Sequence, residues 1–187
     1  QAERTFHVGG LFARLAHSAK LKATTVTVGK AWVRNDARVD LDAEGAHANL
    51  DGAYLAFGRC HVDNHTHISH NAPECTSREC YKGVLGDRGH AVFHGRIVVQ
   101  PNAQKTDSEQ SNQNLLLSAD AQIDTKPQLE IYADDVKCAH GATVGQMDEA
   151  ALFYLVSRGV DRETARRMLT QAFAAEILET VTPPALQ

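Results

Sequence analysis

Apolar residues recur at alternate positions in short runs from about residue 24 to residue 144, and each run is closed by turn residues. Residues 24–28 (Thr-Thr-Val-Thr-Val) end at Gly29-Lys30, residues 38–41 run into Asp42-Ala-Glu-Gly45, and residues 46–50 stop at Asp51-Gly52. Residues 53–57 stop at Gly58, 95–100 at Pro101-Asn102, 115–117 at Ser118-Ala-Asp120, and 128–132 at Asp134-Asp135. Runs of this kind are strands bounded by turns. No helix-length pattern separates them, so the crossover helices of a doubly wound sheet are absent. Many short strands suit a sandwich, a barrel or a single-stacked β-solenoid. Few hairpin dipeptides fall between the runs, and polar residues stand where a two-faced sandwich strand would be apolar; both features favour the solenoid. No sharp period is visible, and pattern alone leaves sandwich and solenoid open.

From Met147 the period changes to that of a helix. Asp148 can N-cap a helix whose apolar positions are Ala151, Leu152, Leu155 and Val156, with Gly159 just past its end. Asp161 then caps a second helix with an apolar stripe of Ala165, Met168, Leu169, Ala172, Phe173, Ile177 and Leu178, ended by Pro183-Pro184. The pattern predicts a β domain over residues 1–146 and a helical hairpin over residues 147–187.

Composition narrows the function classes. Of the 187 residues, 43% are apolar and 22% charged, the formal charge is −4, and aromatics make up 6%. A phosphate-binding face needs a basic surplus and single strands need stacking rings, so nucleic acid is not the expected partner. Arg162, Arg166 and Arg167 at the helical corner are offset by Glu149, Asp161, Glu163, Glu176 and Glu179, which favours a helical docking module over a DNA-reading one. The longest apolar run, residues 150–156, is far short of the roughly 20 residues of a membrane span. Gln1 opens the chain without a basic, hydrophobic leader, so the expectation is a cytoplasmic fragment whose N-terminal part is missing.

Two groups carry candidate chemistry. His61, Asp63, His65 and His67 share one face of an extended strand, with His70 beyond them; imidazoles and a carboxylate so placed could bind zinc or iron. The alternative is a solvated polar ladder. Cys138 and His140 stand two residues apart, hence on one face, with Cα atoms roughly 6.6 Å apart. Cys60, Cys75 and Cys80 form no C-x-x-C pair and read as free thiols, most often small buried hydrophobes. Phosphate-binding loops, dinucleotide fingerprints, nucleophile elbows and zincin motifs are all missing, so no nucleotide is expected to bind this chain.

Three stretches together resemble one family. They are residues 61–66 (His-Val-Asp-Asn-His-Thr), residues 75–85 around Cys-Thr-Ser-Arg-Glu and Tyr-Lys-Gly-Val-Leu, and residues 104–145 from Gln-Lys-Thr-Asp through Ser-Asn-Gln-Asn-Leu-Leu-Leu-Ser to Asp-Asp-Val-Lys-Cys-Ala-His-Gly. The tail continues the likeness at residues 152–155, 157–159 and 172–178. This wording is similar to the SufD family of the SUF iron–sulfur cluster assembly scaffold. The sister SufB family carries cysteine where this chain reads Ser111-Asn-Gln-Asn114 and lacks the Asp134–His140 wording.

The resemblance implies a mainly β protein: a right-handed parallel β-helix followed by a small C-terminal α-helical domain. It implies a non-enzymatic scaffold, paired with a SufB-type subunit, or a second copy of itself, through the β-helix end. The SufC-type ATPase would dock on the C-terminal helices, and the docking residues expected there are Leu152, Phe153, Leu155, Arg158 and Phe173. A nascent cluster or iron would sit at the subunit interface on His140, with Cys138 beside it. Lys137 is adjacent, but strand parity turns it to the opposite face. The rival expectation is a metal-dependent β-fold enzyme, with a cupin-like barrel, using the 61–70 cluster through His61, His65 and His67. A purely structural docking module is a third.

Overall fold

In a computed structural model of the protein, residues 5–29 and 31–178 are described; the proline pair at 183–184 lies outside them. These residues form ten strands and two helices. The strands are β1 (Phe6–Leu15), β2 (Lys20–Gly29), β3 (Trp32–Leu41), β4 (His47–Ala56), β5 (His61–His70), β6 (Thr76–Leu85), β7 (His90–Val99), β8 (Asp107–Leu116), β9 (Gln122–Ile131) and β10 (Lys137–Gln146). The helices are α1 (Glu149–Ser157) and α2 (Arg162–Leu178).

Strands do not pair with their sequence neighbours. The odd strands make one parallel sheet in the order β1-β3-β5-β7-β9, and the even strands a second in the order β10-β8-β6-β4-β2. Each coil gives one strand to each sheet, so the chain winds as a parallel β-solenoid of five coils, and the sandwich alternative falls away. The core fills the space between the sheets: Leu15, Val39, Leu41, Leu50, Val62, Ile68, Phe93, Ile97 and Val99 are buried there. Coil lengths vary. Asn35 and Asn64 stack at a spacing of 29 residues, whereas Ser77 and Ser108 stack at 31. That drift hides the repeat from a sequence scan.

One corner repeats down the stack. Ser18, Gly45, Glu74 and Lys105 all take left-handed backbone angles there. Their amides donate along the axis, from Gly45 to the Pro73 carbonyl, from Glu74 to Gln104 and from Lys105 to Asp135. Corner groups that would otherwise be orphaned are thereby satisfied by the next coil.

Several expected boundaries are corrected. Asp51-Gly52 is not a turn but the middle of β4, so residues 46–50 and 53–57 belong to one strand. Residues 6–15, where the alternation gave no strand within the expected β domain, form β1. The strand expected at 115–117 begins earlier, because the polar stretch before it is all strand, β8. The helical expectation fits closely: Asp148 accepts from the Ala150 and Ala151 amides, Gly159 takes φ 89°, and the Asp161 side chain accepts from the Thr164 amide.

Candidate functional site

β10 is the edge strand of its sheet, paired on one side with β8 alone. It carries Cys138 and His140 on the face that looks into the coil, in register with Ser108 and Gln110 of β8. Among the described residues no coil covers the far side, so His140 is exposed and Cys138 is half-buried against the last aliphatics of the core. The pair thus lines the open end of the solenoid.

The Cys138 thiol is pushed up by burial first and then by the Asp107 carboxylate, with a backbone hydrogen bond from Ser108 opposing. Lys137 is exposed on the outer face and offers no help. A metal must therefore displace the thiol proton when it binds. Behind Cys138 runs a file of hydroxyls: His70 Nε2 is 2.9 Å from Ser77 Oγ, which is 2.8 Å from Ser108 Oγ. Burial drives the His70 imidazole down to about 4, so it is neutral in this file.

A second interior file stands beside it. Glu79, Gln110 and His140 occupy one register position on β6, β8 and β10. Gln110 Nε2 donates to Glu79 Oε2 at 2.6 Å, and both residues are buried. Burial raises the Glu79 carboxyl to about 7, against the neighbouring Thr66 and Gln110 side chains that favour its charged form. Further along β8, Asn112 and Asn114 bind each other, and Asn112 also receives the Thr125 hydroxyl and reaches Tyr54 and the Tyr81 carbonyl. Sequence reasoning missed these buried polar groups. Their signal was a recurrence of polar residues one coil apart, readable only with the coil length known.

The histidine cluster lies on the outer face of the odd-numbered sheet. As expected, His61, Asp63, His65 and His67 share that face, and the coils on either side make it a ladder. His61 stacks on Trp32 and meets His90 edge-on with centroids 4.7 Å apart, while His65 meets His94 edge-on at 5.0 Å. Asp63 is shared by Arg34 at 2.6 Å and His65 at 2.8 Å, and His67 Nε2 is 2.9 Å from Ser69 Oγ. Burial lowers all three imidazoles, His61, His65 and His67, keeping them neutral near pH 7. Among the described residues no three His, Cys, Asp or Glu side chains converge on a point that could hold a metal.

Helix α2 packs on the outer face of β4 and β6, and α1 packs on α2. Lys82 of β6 donates to the Phe173 carbonyl at 3.2 Å and lies over the Phe173 ring. Leu152 has no exposed surface. The docking expectation is therefore corrected for Leu152, which packs inside, while Phe173 rests half-buried beneath Lys82. Phe153 and Arg158 are exposed, Leu155 is partly so, and Arg158 covers the Tyr154 ring. The corner arginines are engaged within the chain: Arg162 with Glu149, Arg166 with the Leu117 carbonyl and Arg167 with Thr164. No helix among the described residues is long and apolar enough to cross a membrane.

Comparison with known proteins agrees with the wording of the sequence. Residues 1–173 match the family model for the SUF system FeS cluster assembly SufBD core domain. The chain is 41% identical over 167 residues to the iron–sulfur cluster assembly protein SufD of Escherichia coli, covering 89% of this chain and 40% of that protein. It is 34% identical over 183 residues to a SufBD family protein of Synechocystis, covering 98% of this chain and 40% of the relative. A SufBD family protein of Mycobacterium leprae is 36% identical over 191 residues, covering 98% of this chain and 49% of the relative. The chain thus spans less than half the length of these relatives. With the family model matched along most of its length, and a SufD among its relatives, this chain belongs to the SufBD core family of the SUF iron–sulfur cluster assembly system and is of the SufD type.

Proposed function

We propose that the chain serves as part of a non-enzymatic scaffold on which iron–sulfur clusters are assembled, with Cys138 and His140 as ligands for iron or the nascent cluster. The observation that carries this reading is their place on β10, side by side at the open end of the solenoid. A thiolate and an imidazole suit iron, but they supply only half of a four-coordinate set. No third ligand converges among the described residues, and in this reading the remainder comes from another chain. A SufB-type subunit, or a second copy of this one, pairing along β10 would bring it there. An unpaired parallel edge is a template for such pairing, and the apolar side chains of Ile131, Tyr132 and Val144 stand exposed beside it.

The second partner in this reading is a SufC-type ATPase seated on the helices, where Phe153, Tyr154, Val156 and Met168 are exposed. The chain carries no nucleotide-binding loop of its own, so the energy of hydrolysis enters through that partner, and the assembly works in the cytoplasm. The test is reconstitution with both partners. Cys138→Ala and His140→Ala are expected to fold as the parent does and to lose most cluster formation; full assembly by both variants rejects the pair as ligands.

A further inference from the structure

Gln110 has one buried amide and two claims on it. Its Nε2 is bound to Glu79 Oε2, whereas its Oε1 is buried and has no partner among the described residues. An ionised carboxylate has only acceptors, so it must face the amide NH2 and turn the amide oxygen away. The room for this arrangement is made across the interior by Gly95, where a Cβ would stand 2.3 Å from Gln110 Nε2. Glu79 lies in register on one side of Gln110 and His140 on the other, each strand roughly 4.8 Å from the next. A buried carbonyl oxygen without a donor, and an imidazole one strand away with a ring N–H to give, are complementary.

We propose that Gln110 is a positioning residue for His140: anchored by Glu79, it accepts one ring N–H of His140 and leaves the other ring nitrogen free to bind iron. The imidazole of a metal ligand is ordinarily fixed by the hydrogen bond its second nitrogen makes, which sets both tautomer and ring direction. Here that bond comes from inside the solenoid, through an amide that passes on the hold of a buried carboxylate. The role in iron binding rests on the function proposed above; the hydrogen bond itself does not.

The test reads the ring nitrogens of His140 by 15N NMR in the metal-free chain at about pH 8, where Glu79 is ionised, with His140→Gln identifying the signals. The parent is expected to show one dominant neutral tautomer with a slowly exchanging N–H. Gln110→Leu and Glu79→Leu are expected to release it to the mixture of a free imidazole, while Glu79→Gln, which keeps an acceptor oxygen, retains it. Thermal melts identify any variant that fails to fold, and the parent's tautomer is read without any change at Gln110 or Glu79. A freely averaging His140 in the parent, or a fixed tautomer that persists in folded Gln110→Leu, overturns the proposal. Because no iron is present, these results are independent of the assembly assay: a free ring with assembly lost on His140→Ala rejects the positioning alone, and a fixed ring with assembly intact rejects the ligand role alone.

Discussion

Tyr81 occupies the space beside Gly52: the two are partners across the β4–β6 pairing, and a Cβ at Gly52 would stand 2.2 Å from the Tyr81 ring. Two residues along, the exchange is reversed, with Tyr54 filling the space at Gly83 at 2.3 Å. Glycine in mid-strand usually costs stability, but here it admits a buried ring. Gly83→Ala also meets Asn114 Oδ1 at 2.5 Å, so it disturbs the acceptor of the Tyr54 hydroxyl. It is expected to cost about 1–3 kcal/mol, read from the denaturant midpoint. A midpoint equal to the parent's would mean the ring has somewhere else to go.

Glu79 should make stability fall as pH rises. Its folded carboxyl titrates at about 7, above its ordinary value, so the folded state holds the extra proton. The contribution is fully present below about pH 4.5 and is lost as pH rises through 7, a loss of roughly 3 kcal/mol by the top of that window. Glu79→Gln removes the titration. The difference in unfolding free energy between variant and parent should therefore shift in the variant's favour from pH 4.5 to pH 8; a difference that is flat with pH counts against a buried carboxyl that titrates.

His70 acts with the opposite sign. Its imidazole is depressed to about 4 by burial, so its contribution is present above about pH 6.5 and lost as pH falls through 4. Between about pH 4.5 and 6.5 its slope and that of Glu79 nearly cancel in the parent. His70→Gln should unmask the Glu79 slope there, with stability now falling as pH increases. If the variant's profile parallels the parent's, His70 is not the neutral group of the Ser77–Ser108 file.

The thiols should sort by burial. Cys60 and Cys75 are buried and their thiols are raised by it, while Cys138 is half-buried with its thiol raised too. At pH 7 iodoacetamide is expected to label Cys138 more slowly than a free thiol, and Cys60 and Cys75 only after denaturation. Mass spectrometry of peptides gives the order directly, and early labelling of Cys75 would contradict the packing.

Alternation made the strands legible in the sequence, and strand parity was enough to place Cys138 with His140 and His61 with His65. It failed where stacking overrides local preference. The stretch Ser111-Asn-Gln-Asn114 has poor strand propensity, yet it is held in β8 by bonds from the Asn112 amide to the Tyr54 hydroxyl and the Tyr81 carbonyl of earlier coils. Gly9-Gly10 interrupt the alternation of β1, and Asp51-Gly52 imitate a turn in β4. Glu79 and Gln110 were invisible for a related reason. Their partnership spans 31 residues, and nothing in either neighbourhood announces that a charged and a polar side chain point inward. The docking expectation failed at Leu152 because an amphipathic stripe does not say which of its apolar members the protein itself will cover.

In a stack where each coil is held only by its neighbours, β10 is gripped from one side while β8 and β6 are gripped from two. Opening is therefore cheaper at such a margin than in the coils between. Cys138 and His140 ride on a terminal layer, which can loosen while the coils beneath keep their shape.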